Sequence, residues 1–383
     1  VKTIQAVGIV AEYNPFHNGH RYHLSRAREM TGADVVVAVM SGNFTQRGEP
    51  TILDKWTRAK LALQNGVDLV VELPIFNAVE PAHLFARGAL MLLSELQVCD
   101  VVFGAEHPDW DFAAMVQAER HFSSSEFHRY NATFATQFNQ ELQTVTGHQL
   151  TSSNDILAFA YEKAKQQLGL SLNLLPLQRR GNDYHDQRIE GRLASATAIR
   201  TAVVKHRSLE QAVPSSTAKA LQHVSQVPSW ARLYPLLRNH LIQAPVEELG
   251  SYYEVAEGLE YRMKEAASRH LSFDGFNRAV KSKRYTYARL LRAYLYTLLE
   301  MTKEEVRTHQ QRPYLRVLGF TTRGQAYLHA IKKQVSIPLV TNVNQDLRDH
   351  DLALDYRAGK LYQLFNGAEQ DLKHAPWRIA VKE

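Results

Sequence analysis

Gly8-Ile9-Val10-Ala11-Glu12-Tyr13-Asn14-Pro15-Phe16-His17-Asn18-Gly19-His20 runs from an apolar strand through a polar turn into a helix, and its reading decides the fold. Residues 4–11 form a short β-branched run. Leu24 and Ala27 are spaced for one face of a helix over 19–30. Pro15 fixes the turn, and Gly19 permits close backbone approach. The helix opening near Gly19 offers free N–H groups and a positive dipole end, which suits an anion. His17 and His20, three apart at that start, can face one side and donate to phosphate oxygens. Two other readings of this pair stand beside that one: a helix cap, and two ligands of a metal ion. Zinc would need a further ligand, and His83, His107 and His185 are all distant in sequence. Neither G-x-x-x-x-G-K-[ST] nor G-x-G-x-x-G follows the strand. A nucleotide site here rests on imidazoles.

Strand and helix signals alternate outward from this segment. Strands are expected over 34–40, 68–73 and 98–103, the last ending at Gly104. Helices are expected over 54–64, with Asp54 as N-cap, and over 81–96. Near-continuous β-branched strands between helices predict a parallel sheet covered on both faces, a Rossmann-like doubly wound α/β fold. Residues 110–168 read mainly as helix, 171–177 as a late strand and 195–204 as a helix entered from a polar turn. Helical patterns dominate 208–305. The tail adds strands over 314–320 and 337–341 around a helix over 323–333, a small α/β element. These shifts place a break near Arg207. They divide the chain into a nucleotide-binding domain, 1–206, and a mainly helical C-terminal domain, 207–383.

The 383 residues suffice for two such domains. A net charge of +6 permits a polyanionic partner without requiring one. The single cysteine, Cys99, excludes a disulfide framework within one chain and a cysteine-rich zinc site. Its apolar surroundings suggest a buried, inert thiol. No stretch approaches a membrane span and no signal-peptide layout is present, so the expected location is cytoplasmic. No obligate protein partner is evident.

His17-x-Gly19-His20 resembles the HxGH signature of the nucleotidyltransferase superfamily, relatives of class I aminoacyl-tRNA synthetases. The wider strings 12–20 and 38–50 are similar to those of the bacterial tRNA(Met) cytidine acetate ligases. So are Gly66-Val67-Asp68, Glu72-Leu73-Pro74, Ser153-Asn154-Asp155-Ile156-Leu157, Tyr184-His185-Asp186 and Ser195-Ala196-Thr197-Ala198-Ile199-Arg200. The string 285–292 extends the likeness into the helical part. The resemblance implies an ATP-dependent ligase. Acetate is activated as acetyl-adenylate, and the acetyl group passes to N4 of the wobble cytidine of elongator tRNA(Met). ATP with Mg2+, acetate and that tRNA are the implied cofactor and partners; no protein metal site is implied. Carried over by motif, the ATP site comprises Val10, Ala11, Glu12, Tyr13, Asn14, Pro15 and Phe16. It continues through His17, Asn18, Gly19, His20, Arg21, Tyr22 and His23, then Gly104, Asn154 and Arg179. Ser195, Thr197 and Arg200 resemble the superfamily's second phosphate-binding block. Their hydroxyls, guanidinium and helix start suit a triphosphate.

Three further groups carry both functional and structural readings. Lys55 and Arg58 share a helix face and could meet phosphates, acetate or tRNA, or be solvated; the polar loop 41–50 before them reads as an active-site flap, and Lys55 is the candidate catalytic cation beside His17 and His20. Tyr184-His185-Asp186 could pair a base with its orienting group, or be a polar turn. Over 281–296, helical spacing puts Lys281, Tyr285, Arg289, Arg292 and Tyr296 on one side, and Tyr287, Leu291, Tyr294 and Leu298 on an apolar side. Lys281, Arg289 and Arg292 are the expected tRNA contacts. Two rival functions remain: an adenylyltransferase acting on a small phosphate, and a tRNA-binding module that holds ATP without turnover. The long basic helical part counts against the first, and the intact His17/His20 pair with Arg200 against the second.

Overall fold

The computed structural model describes residues 4–122, 134–179, 194–205, 207–209 and 211–380. Tyr184-His185-Asp186 and Arg180 lie outside them. The first half runs β1 (Ala6–Ala11), α1 (Asn18–Thr31), β2 (Val35–Ser41), α2 (Lys55–Gln64), β3 (Leu69–Leu73), α3 (Ile75–Ala78), α4 (Ala82–Glu95) and β4 (Asp100–Ala105). It continues with α5 (Phe112–Glu119), α6 (Phe134–Thr146), α7 (Ser153–Leu168), β5 (Asn173–Gln178) and α8 (Ala196–Val204). The helical stretch comprises α9 (Ser215–Gln222), α10 (Trp230–Gln243), α11 (Val246–Ser251), α12 (Leu259–Arg269), α13 (Phe273–Val280), α14 (Tyr287–Leu298) and α15 (Lys303–Gln310). The tail adds β6 (Leu315–Thr321), α16 (Thr322–Ile331), β7 (Leu339–Val340), α17 (Gln345–Asp349), α18 (Ala353–Asn366) and β8 (Trp377–Ile379).

The strands form one sheet in the order β5-β4-β1-β2-β3-β6-β7, with β8 on β6. The five strands β1 to β5 are parallel, as their apolar runs predict, and β2 and β3 are wholly buried. The chain reverses direction across the sheet at β1, between β4 and β2. A crevice opens there above the carboxyl ends of the strands. Caps fix the helices that feed it. Asp54 Oδ1 accepts from Thr57 N–H at the start of α2, and Ser152 caps α7, which Gly169 ends in the left-handed conformation.

The tail is not a separate element. β6 pairs antiparallel with β3, so the C-terminal strands extend the N-terminal sheet. The helical stretch also shares its core with the first half. Phe44, Ile75, Phe76 and Val79 pack among residues of α10 to α14 and α18. The change of composition near Arg207 therefore marks a change of element type within a shared core. Cys99 departs from expectation: it is exposed, because it lies just before β4 rather than within it.

Candidate functional site

A cleft of about 300 Å³ lies at the carboxyl end of β1. Its floor is the opening segment: Val10, Ala11, Glu12, Tyr13, Asn14, His17, Gly19, His20, Tyr22 and His23. Tyr13, where β1 turns away, has φ 48°, a left-handed backbone that a bulky residue adopts only at a cost.

His17 is the N-cap of α1. Its Nδ1 accepts from Gly19 N–H at 3.0 Å, and His20 Nδ1 accepts from His17 N–H at 3.2 Å, a reciprocal capping box. The two rings stack with centroids 3.7 Å apart. Gly19 makes this possible, since a Cβ there would lie 2.8 Å from the His17 ring. The cap and phosphate readings thus coincide. With both Nδ1 atoms accepting, the proton of each neutral ring sits on Nε2, which leaves two N–H donors for a ligand. Both rings stay neutral. Burial, then Arg179 and Arg200, lower His17 to about 3; burial, then its neighbours His17 and His23, put His20 well below its ordinary value. His23 Nε2 donates to Val102 O at 3.1 Å and ties α1 to β4; burial lowers it to about 4.

Among the described residues three arginines line the cleft: Arg47, Arg179 and Arg200. Arg200, on α8, donates to Asn14 O at 2.9 Å and to Thr197 Oγ1 at 3.2 Å. Ser195, the N-cap of α8, accepts from Ala198 N–H, so this helix start also opens at the cleft. Arg179 and Asn154 are both positioned by Glu106, which accepts from Asn154 Nδ2 at 2.7 Å and from Arg179 at 3.4 Å. Asp155 accepts from the Glu106 and His107 N–H groups and locks the start of α7 to the end of β4.

The structure therefore gathers most of the residues expected from sequence, Gly104 included. Pro15, Phe16, Asn18, Arg21 and Thr197 are not on the cleft wall. Phe16 is core, and Asn18 bonds Gln211 O. Lys55 and Arg58 are displaced from their expected role. Lys55 Nζ is buried against Glu72 Oε1 at 2.9 Å and Asp371 Oδ1 at 2.7 Å. Arg58 is spent on the carbonyls of Glu12, Ser41, Gly42 and Leu53. Their shared helix face is real, but it faces the sheet.

The basic stripe is also revised. Residues 281–286 form a turn, Thr286 caps α14, and both sides of the helix are packed: Tyr285, Leu291, Arg292, Tyr294 and Tyr296 are buried, while Tyr287 is exposed. Arg292 faces Glu254, Arg289 lies near Glu254 and Glu257, and Lys281 donates to the Ser282 and Tyr285 carbonyls. The reasoning from sequence did not single out Glu106 or an α7 face of Ser153, Leu157 and Tyr161, although the four-residue spacing of that face was readable; Gln46 and Arg47, which line the cleft, lie on the loop 41–50 read from sequence as a flap but were not named individually as site residues. Among the described residues no group of three or more His, Cys, Asp or Glu could hold a metal ion.

A parallel sheet with paired histidines capping the helix after its first strand defines a nucleotidyltransferase of the HxGH type. Residues 4–375 match the family model HIGH Nucleotidyl Transferase. The tRNA(Met) cytidine acetate ligase of Limosilactobacillus fermentum is 60% identical over 98% of this chain and 100% of its own length. That of Lactiplantibacillus plantarum is 53% identical over 99% of both chains. The crystal structure of Thermotoga maritima TmcAL superposes with a TM-score of 0.89 at 31% identity, covering 98% of this chain and 100% of that one. TmcAL bound with alpha-thio ATP superposes with a TM-score of 0.86 at 30% identity, with the same coverage. The chain belongs to the HIGH nucleotidyl transferase family and, within it, to the tRNA(Met) cytidine acetate ligases.

Proposed function

We propose that this chain is an ATP-dependent ligase that forms acetyl-adenylate in the β1 cleft and then N4-acetylcytidine at the wobble position of elongator tRNA(Met). The observation that carries the reading is the pair of neutral imidazoles at the N-terminus of α1, in one cleft with Arg179 and Arg200. In the first step an acetate oxygen attacks the α-phosphorus. The α–β phosphoanhydride bond breaks, and pyrophosphate leaves. Charge spreading over the phosphate oxygens meets the two Nε2–H donors, the start of α8, and the Arg179 and Arg200 guanidinium groups; the first N–H groups of α1, expected from sequence to be free, are instead taken by Ala212 O, His17 Nδ1 and His17 O. In the second step the cytosine amine attacks the acetyl carbonyl and AMP departs.

Mg2+ would enter on the nucleotide's own phosphates, since the described residues offer no protein cage for it and Glu12 is the one carboxylate among those lining the cleft. Burial raises the Glu12 carboxyl, against the Gln46 N–H bond and Arg47. The described part of the chain has no helix long and apolar enough to cross a membrane. Lys281 and Arg289 remain proposed phosphate contacts for tRNA. Arg292 does not, because its guanidinium is buried against Glu254. Exchange of labelled pyrophosphate into ATP tests the reading: it should depend strictly on acetate. Exchange supported by a mononucleotide phosphate instead, or none with any small acid, would overturn it.

A further inference from the structure

The ligase reading leaves the carboxylate substrate without a binding site. The three arginines that line the cleft among the described residues differ in what they act on. Arg179 and Arg200 are close enough to His17 to depress its basicity, which puts them at the phosphate end. Arg47 comes from the loop 42–54 between β2 and α2 and is not among the charges that act on His17; together with Arg200 it acts on Glu12. Its guanidinium donates to Ser153 Oγ at 3.1 Å, so it reaches across to the start of α7. Leu157 and Tyr161, one and two turns further along α7, continue the same wall of the cleft.

We propose that Arg47 is the residue that binds the carboxylate of the acetate substrate, with Leu157 and Tyr161 as the apolar wall for its methyl group. The proposal rests on the ligase reading and names the carboxylate subsite within it. A small carboxylate gains most of its binding from one charge-assisted contact. An apolar side wall then limits its size.

The loop is built to present Arg47. Thr45 N–H bonds Glu49 O at 2.9 Å and Gly48 N–H bonds Thr45 O at 2.9 Å, closing a tight turn around it. Gln46 N–H donates to Glu12 Oε1 at 2.8 Å, and Trp230 Nε1 donates to Gly48 O at 2.9 Å, so the turn is held from both the cleft and α10.

The test compares acetate-dependent ATP–pyrophosphate exchange in the full-length wild type, Arg47→Gln and Arg47→Lys, with calorimetric affinity for a non-hydrolysable ATP analogue measured alongside. Arg47→Gln should raise KM for acetate roughly 10–100-fold, with analogue affinity kept within about threefold, and Arg47→Lys should recover part of the loss. Leu157→Ala should let propionate replace acetate. An unchanged acetate KM in Arg47→Gln overturns the carboxylate assignment, and a matching loss of analogue affinity reassigns Arg47 to the phosphates and overturns it equally. Unaltered discrimination in Leu157→Ala removes the methyl wall. No exchange in the wild type with any small acid would instead sink the ligase reading itself, a failure distinct from these.

Discussion

At the scale of single residues, the proposed chemistry turns on two imidazoles whose protonation is set by their surroundings. Each uses Nδ1 as an acceptor in the cap of α1 and keeps its proton on Nε2. Removing one donor aimed at developing charge should cost about 10²–10³-fold in rate. His20→Ala should therefore lower acetate-dependent exchange by that order while tRNA binding, read by filter retention, stays near wild type; equal loss of both would refute the division of roles. The depressed basicities also predict pH behaviour. His17 at about 3 and His23 at about 4 stay neutral at neutral pH, so the exchange rate should show no imidazole titration near pH 6.5. For stability the sign is fixed by the direction of the shift. The unfolded chain takes up protons below the ordinary value of 6.5, while the folded rings do not until about 4 and below. Stability contributed by these histidines is present above that ordinary value and lost as pH falls through the window. Urea midpoints taken at falling pH should drop across it, and a His23→Gln variant should drop less.

At the scale of elements, the loop 42–54 joins the helical stretch to the cleft. Gly48 has φ +79°, and a Cβ there would lie 2.9 Å from the Leu291 carbonyl carbon and oxygen and 3.0 Å from Arg292 N on α14. α14 therefore serves the cleft as a backing for this loop, in keeping with the packing of Arg292 against Glu254. Gly48→Ala has to strain the backbone and push the loop off α14, at about 1–3 kcal/mol. Its expected signature is a raised acetate KM, with ATP-analogue affinity nearly unchanged, because the floor of the cleft comes from β1 and α1. Loss of ATP affinity in this variant would show that the loop organises the whole site.

At the scale of the whole molecule, a buried ion cluster joins the ends of the chain. Lys55 on α2, Glu72 on β3, Arg316 on β6 and Asp371 in the C-terminal segment are each nearly inaccessible to solvent. Burial alone would raise the Asp371 carboxyl, but Lys55 and Arg316 together hold it below its ordinary value. Lys55→Met leaves two carboxylates facing one guanidinium and should cost about 3–5 kcal/mol in urea unfolding. The folded fraction should still bind the ATP analogue, since Lys55 does not line the cleft; loss of binding without loss of stability would return Lys55 to the catalytic role expected of it from sequence. That reversal shows where sequence reading ends. The parallel strands, the helices between them, the Asp54 cap and the nucleotide turn were legible because they depend on local periodicity, capping chemistry and a contiguous motif. The strands β6 and β7 were recognised too, but neither β8 nor the pairing of β6 with β3, because pairing between segments far apart in the chain leaves no local pattern. The same limit hid the burial of Lys55, Arg58 and Arg292, the exposure of Cys99 and the arrival of Arg47 in the cleft. A charged side chain carries the same helical spacing whether it faces water or a buried carboxylate. The sequence by itself determined the fold class and the histidine-capped turn after β1; only the tertiary structure decided which cations line the cleft, because partners brought together from distant segments set the electrostatics of each one.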